Sequence, residues 1–289
     1  MLALLLDRYM GEPPATLHPV VWMGNLLGWL EAGAPRTDRA RFAFGLLVAL
    51  GVPLAWGGLA ALLDQHTAWP IKGVLLKATF AGQGLLGAAG RVERSIDEER
   101  LEDARRELRW LVSRPTERLD ETLVSAAAIE SLAENYVDSW VAPLAAYCLF
   151  GLGGAYAYRA ANTADAVWGY RTPEYEWLGK GVARLDDLLN WLPARLGALL
   201  LVVTGPRPRE ALAVWRRDAG LTASPNAGQP MSVAAGHLDL RLEKPGHYVL
   251  HNTGRAPSAG DLAAARQLVA RAMLLAASLS LLLRRVVRQ

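Results

Sequence analysis

Cysteine is almost absent from this 289-residue chain: Cys148 stands alone inside an apolar run and cannot close an internal disulfide. Nothing in the sequence therefore calls for an oxidising compartment. Charge is scarce too, at 20% of residues against 52% hydrophobic. The formal net charge is only +3, and lysine and arginine never gather into the block that tracks nucleic acid, so no nucleic-acid partner is expected. Internal repeats and low-complexity tracts are missing, as is any apolar–polar alternation long enough for a sheet. No secretory leader is expected either, because the apolar start from Met1 to Leu6 meets Asp7 and Arg8 too early for a signal-peptide core.

What the chain does have is apolar length. Its mean hydropathy is +0.14, high for a water-soluble domain. Phe42 to Leu63 and Ser139 to Tyr158 carry no charge, and each reaches the roughly 20 apolar residues that cross a bilayer. Ala68 to Gly90 is similar but contains Lys72 and Lys77; Leu188 to Thr204 contains Arg195; Leu268 to Leu283 contains Arg271. The expected fold is all-α: a multi-pass integral membrane protein with about four to five embedded helices plus cytoplasmic amphipathic helices. Residues 1–289 are read as a single membrane-embedded domain, in contact with the lipid bilayer of the cell membrane.

Basic residues set the expected orientation. Arg36, Arg39 and Arg41 precede the first run, and Arg91 and Arg94 follow the second. Arg207, Arg209, Arg216 and Arg217, and at the end Arg284, Arg285 and Arg288, also favour the inside. Five complete crossings cannot satisfy all of these. The 139–158 run, with Pro143 and Gly151-Leu152-Gly153-Gly154, is expected to be broken or re-entrant.

Arg91 to Val112 reads as one amphipathic helix with a solvated charged face, stopped at Ser113-Arg114-Pro115-Thr116. A second helix, expected from about Thr116, carries Glu130, Glu134 and Asp138 at i, i+4 and i+8, each turned ~40° from the last. Like charges at that spacing repel. Leu119, Leu123, Ala126, Ala133 and Val137 surround them on the same face, so Glu130 and Glu134 should point into packed protein. There they need a partner: a metal ion, arginines from a neighbouring helix, or a bound proton.

Four further polar clusters follow. Asn162-Thr163-Ala164-Asp165 sets Asn162 and Asp165 at i, i+3, a pattern that also suits a cap or turn. Arg184-Leu185-Asp186-Asp187, with Asn190 and Arg195 beyond, suits Mg2+ bridging phosphates, or an interfacial cap with snorkelling arginines. Ser224-Pro225-Asn226-Ala227-Gly228 is a small-residue loop before a short helix (Pro230 to Asp239), whose backbone N–H groups could cradle a phosphate. Near the start, Asp7 and His18 stand among glycines and prolines. His18 is a candidate acid, base or phosphate contact, although a lone histidine is more often structural. His247 and His251 lie in an irregular stretch that does not suit zinc. Ser258-Ala259-Gly260-Asp261 reads as a capping box opening the last helix.

Taken in order, these motifs resemble one family. Gly11-Glu12-Pro13-Pro14 through His18-Pro19-Val20-Val21-Trp22-Met23-Gly24 is similar to its N-terminal signature. Ile129 to Asn135 with Asp138 and Pro143, then Arg159 to Asp165 with Gly169-Tyr170, follow in register. Ala183 to Asp187 with Asn190 and Pro193-Ala194-Arg195, and Ser224 to Gly228 with Pro230-Met231, complete it. The family is adenosylcobinamide-phosphate synthase, the CobD/CbiB proteins of cobalamin biosynthesis. Gln229, where an aromatic is common, and His237, at a usually small position, depart from its pattern.

The resemblance implies a membrane ligase. It would join the propionate carboxylate of adenosylcobyric acid to aminopropanol phosphate, or to aminopropanol, as an amide, using ATP and Mg2+. Other corrinoid-assembly enzymes are expected partners, and the site is expected to face the cytoplasm. Glu130, Glu134, Asp138, Asn135 and His18 are then the candidate catalytic residues. Asn162, Arg184, Arg195, Ser224 and Asn226 would bind substrate or phosphate, and Asp165, Asp186, Asp187 and Glu134 would hold metal. A prenyltransferase-like enzyme binding Mg-diphosphate, and a non-catalytic transporter or scaffold, stand as the alternative readings.

Overall fold

The structure, a computed structural model, describes the backbone of residues 1–287 and the side chains of residues 1–284. Arg288, read above as an inside-preferring charge, lies outside the described residues, as does the Arg285 side chain. In chain order the first helices are α1 (Leu2–Met10), α2 (Pro19–Ala32), α3 (Asp38–His66) and α4 (Trp69–Lys77). Next come α5 (Gly82–Asp97), α6 (Leu101–Leu108), α7 (Glu121–Tyr136) and α8 (Ala142–Trp168). The remainder are α9 (Lys180–Leu189), α10 (Trp191–Thr204), α11 (Pro208–Asp218), α12 (Gly228–Leu238) and α13 (Ala259–Val287). One small hairpin, β1 (Leu242–Lys244) and β2 (Tyr248–Leu250), stands between α12 and α13.

The chain is an all-α membrane protein. Asp38–His66, the continuous stretch Glu121–Trp168, and Ala259–Arg284 are each long and apolar enough to cross a bilayer; the bent pair α9 and α10 makes a fourth if counted as one span. Two compact units form: residues 1–81, 142–190 and from Ser280 onward make the first, and residues 82–141 and 191–279 the second.

In the first unit α3 packs on α8 and α9. Small residues allow the approach: a Cβ added to Gly57 would sit 2.9 Å from the Cβ of Ala157 and 3.0 Å from the carbonyl oxygen of Gly153. α2 starts cleanly because Pro19 pre-sets the first turn and His18 caps it, its Nδ1 accepting the Val20 N–H at 3.2 Å. The expected break in the 139–158 run is present at Gly151, which takes φ 69° inside α8. Pro143 lies in the first turn of α8, directly after a π-helical turn over Val137–Val141. Such a wide turn suits a residue that cannot donate to the preceding turn.

The second unit is built around α7. From Val124 to Ala133 every residue of this helix is buried, so its surface is packed all round rather than along one stripe. Asp120 caps it, accepting the Leu123 N–H at 2.8 Å. Neighbours of α7 include α5, α6, α12 and β1. At α13 half of the expected capping box forms: Asp261 accepts both the Ser258 N–H and hydroxyl, at 2.8 and 2.7 Å, while its own N–H goes to the Ser258 carbonyl at 3.1 Å.

Several expectations need correction. Ala68 to Gly90 is not one span: α4 ends at Lys77 and α5 starts at Gly82. Lys77 is the reason, because its buried ammonium is turned to Glu12 Oε1 (2.8 Å), Asp7 Oδ1 (3.3 Å) and the Phe80 carbonyl (3.1 Å). Arg91 to Val112 is likewise two helices, parted at Glu99, which takes a left-handed φ of 56°. The acidic helix starts at Glu121, where Asp120 supplies a cap that Thr116 does not. A hairpin occurs where no strand was expected; its three-residue strands are too short for alternation to be legible.

Candidate functional site

The residues singled out by the sequence fall into polar clusters in both units. In the second unit Glu130 is 4% exposed. Arg114 Nη2 donates to its Oε2 at 3.1 Å. Among the described residues Glu130 Oε1 and Arg114 Nε and Nη1 have no hydrogen-bond partner, although all three are buried. Glu130 also faces Glu134, Lys244 and Tyr248. Burial, and after it the Glu130 and Glu134 carboxylates, pushes the Tyr248 phenol up, so it is a hydrogen-bond donor across the physiological range.

Position along α7 explains this arrangement. Glu130 falls in the fully buried stretch, whereas Glu134, Asn135 and Asp138, nearer its end and in the π turn, are half-buried and reachable. Asn135 donates to the Ser131 carbonyl (3.0 Å) and hydroxyl (2.9 Å), and Ser131 donates to the Leu111 carbonyl at 2.5 Å. That chain of bonds ties α7 to the end of the preceding charged segment.

The same unit brings together three predicted substrate residues. Arg195 Nη1 lies 3.4 Å from Asn226 Oδ1, and its guanidinium covers the Trp191 ring at 4.2 Å. Ser224 anchors the loop, but not as expected. Its hydroxyl accepts the N–H groups of Asn226 (3.2 Å) and Ala227 (3.4 Å), and Thr222 accepts that of Gly228 (3.1 Å). The backbone donors thought available for a phosphate are therefore already in use. What the loop presents is the Arg195–Asn226 side-chain pair.

In the first unit the centre is Asp186 on α9. Its Oδ1 accepts from Asn162 Nδ2 at 3.3 Å and its Oδ2 from Asn190 Nδ2 at 3.0 Å. Arg159 Nη1 donates to Asn162 Oδ1, and the Tyr158 hydroxyl to Asn190 Oδ1, both at 2.9 Å. Asn162 is thus mid-helix in α8 rather than in a turn, and Asp165 sits half-buried one turn later. Asp187 pairs with the exposed Arg184 at 3.6 Å. Elsewhere in this unit His18 Nε2 lies 3.1 Å from Glu12 Oε2. Burial alone would raise the Glu12 carboxyl; hydrogen bonds from His18 and Lys77 outweigh it and hold the group below its ordinary value. His18 therefore combines a helix cap with this ionic cluster.

Among the described residues no three His, Cys, Asp or Glu side chains are arranged as a metal cage. Asp186 and Asp187 offer hard oxygen donors flanked by amides, a set that suits Mg2+ carried in on phosphate oxygens rather than enclosed by protein. Of the metal candidates, Asp165, Asp186 and Asp187 belong to the first unit and Glu134 to the second. Sequence reasoning missed Arg114, Lys244, Tyr248, Tyr158, Arg159 and Lys77. Only Arg159, at i, i+3 from Asn162, stands at a helical spacing from the side-chain partner described here, and an uncharged run interrupted by Lys77 signalled that something had to neutralise it.

Fold and clusters define a helical membrane protein with carboxylates set in its packed interior. The family model described as CobD/Cbib protein matches residues 1–279, and the chain belongs to that family. The chain is 40% identical to the probable cobalamin biosynthesis protein CobD of Methanothrix thermoacetophila, over 98% of this chain and 95% of the relative. It is 41% identical to the cobalamin biosynthesis protein CobD of Dehalococcoides mccartyi (86% and 85% covered). With the probable cobalamin biosynthesis protein CobD of Thermococcus kodakarensis the identity is 42% (91% and 87% covered). No solved structure matches.

Proposed function

We propose that this chain acts in cobalamin biosynthesis as an amide-forming ligase. It would attach aminopropanol phosphate, or aminopropanol, to the propionate carboxylate of adenosylcobyric acid. A carboxylate does not react with an amine at neutral pH unless its oxygen is first made a leaving group. In this reading a carboxylate oxygen attacks the γ-phosphorus of ATP, releasing ADP and leaving an acyl phosphate. The amine nitrogen then attacks the acyl carbon, the C–O bond to phosphate breaks, inorganic phosphate departs, and the ammonium proton passes to a base. Mg2+, when bound, offsets phosphate charge.

The observation that carries the reading is family membership over nearly the whole chain, joined to half-buried carboxylates beside a buried acid. Glu134, reachable and next to Tyr248, takes the amine proton. Glu130 holds Arg114 in place for an anionic oxygen of substrate. Arg195 and Asn226 bind phosphate or carboxylate; in the first unit, taken by itself, Asp186 and Asp187, with Asn162 and Asp165, would hold an Mg-phosphate group. The basic stretches at 36–41 and 207–217 support a site on the cytoplasmic face of the cell membrane. Further corrinoid enzymes would supply its substrate and take its product.

The test is direct. Detergent-purified protein is incubated with adenosylcobyric acid, the amine, ATP and Mg2+, and the condensed product is followed by mass spectrometry. Product should require all four, and Glu134→Gln should slow its formation at least ~100-fold, a loss of about 2.7 kcal/mol in the barrier. Corrinoid binding with no product would reject the ligase and favour a carrier.

A further inference from the structure

The charged stretch 91–107 reads in sequence as a solvated face, but the fold does something else with it. Glu99 takes a left-handed φ of 56°, and the chain turns back so that α6 packs against α5. A non-glycine residue in that conformation is strained and persists only where its surroundings demand it. The turn creates an open cavity of about 230 Å3, lined by Arg91, Arg94 and Ser95 of α5, Arg100 of the turn, and Asp103, Arg106 and Glu107 of α6.

Four guanidinium groups share that lining with only two carboxylates. Glu107 answers Arg91 at 2.6 Å. Asp103 serves two arginines at once, Arg100 at 2.6 Å and Arg106, and Arg100 also pairs with Glu98. Arg94 pairs with no carboxylate among the described residues. An ordinary solvated helix face balances its charges in i, i+3 and i, i+4 pairs; here Arg100 and Arg106 do so with Asp103, but Arg94 is left unanswered beside the cavity. Arginine forks match the planar, multidentate acceptors of phosphate. The volume suits inorganic phosphate, pyrophosphate or a phosphorylated headgroup and is too small for a corrinoid.

We propose that the Arg91–Arg94–Arg100–Arg106 cavity is a phosphate-binding site, distinct from the carboxylate clusters described above. The phosphate belongs either to a soluble phosphorylated metabolite or to an anionic lipid headgroup. Neither the family assignment nor the ligase reading is needed for this site, so its failure would leave both untouched.

The experiment uses the full chain in dodecyl maltoside and titrates inorganic pyrophosphate by calorimetry. Arg94→Gln is the decisive variant, because Arg94 makes no ion pair that folding would miss. It should weaken binding at least fivefold, and Arg94→Gln with Arg106→Gln more than tenfold. The exposed pair Arg36→Gln with Arg39→Gln should leave binding unchanged. Undetectable binding to the wild type, or equal affinity in wild type and Arg94→Gln, overturns the proposal. In nanodiscs, pyrophosphate binding that survives in phosphatidylcholine but is lost to competition in phosphatidylglycerol assigns the site to a headgroup. Equal binding in both lipids, still lost in Arg94→Gln, assigns it to a soluble phosphate.

Discussion

The two units hold their central carboxylates by opposite means. In the second, Glu130 is buried against a full positive charge on Arg114, with Lys244 as a further cation nearby. In the first, Asp186 is held by two neutral amides, Asn162 and Asn190, themselves fixed by Arg159 and Tyr158. A charge-paired acid is stable only while its partner remains, since a lone buried charge is very costly. An amide-held acid distributes that cost over several weaker bonds and keeps lone pairs for a cation. Glu130 is therefore locked to one guanidinium, whereas Asp186 is shared between two amides.

Breaking the charge pair should have the largest effect. Arg114→Met removes the ion-pair partner of Glu130 and should lower stability by about 3 kcal/mol; Glu130→Gln, which strands the Arg114 guanidinium, should cost a comparable amount, and the double variant Arg114→Met with Glu130→Gln less than the sum of the two. Thermal unfolding in detergent measures all three, and additive losses would contradict the charge-paired reading. Asn190→Ala removes one donor to Asp186 and the acceptor of Tyr158, and should cost about 2 kcal/mol. A loss as large as that of Arg114→Met would erase the contrast between the units. Asp120→Ala removes the cap on α7 and should cost about 1 kcal/mol with little change in ligand affinity.

The smallest effect is expected from acid. The Glu12 carboxyl is lower in the folded chain than in an unfolded one because His18 and Lys77 bind its charged form. Its contribution to stability is therefore complete above the ordinary carboxylate value and disappears as pH falls through the lowered folded one. Wild type should lead Lys77→Met by a margin that narrows as pH drops through roughly 5 to 3. Unfolding midpoints collected across that range decide it, and a margin constant with pH would detach Glu12 from Lys77.

Much of the architecture was legible in the chain because it depends on neighbours. Phe42 to Leu63 announces α3 by its length and lack of charge. Ser258 and Asp261 announce the cap of α13, and Gly151 the break in α8. The misreadings share a cause. Ala68 to Gly90 looked continuous because nothing local says that Lys77 will be neutralised by Asp7 and Glu12, far back in the chain. Arg91 to Val112 looked continuous because apolar periodicity persists across Glu99, whose left-handed turn closes α5 with backbone bonds from the Glu99 N–H to Ile96 and the Arg100 N–H to Ser95. The phosphate reading of the 224–228 loop failed because its spacing does not reveal that the Ser224 and Thr222 hydroxyls satisfy the N–H groups themselves.

By itself, the sequence determined that this is a helical membrane protein with a buried acid at Glu130. Apolar run length, capping chemistry and helical spacing are local properties of the chain, and hydrophobic burial acts on them directly. Only the tertiary structure decided which partner each acid meets. Arg114 stands against Glu130, the amides of Asn162 and Asn190 hold Asp186, and a turned-back charged segment gathers four arginines around a cavity. Those outcomes rest on distances of a few ångströms between residues far apart in sequence, where electrostatic and hydrogen-bond energies change steeply and no local pattern records them.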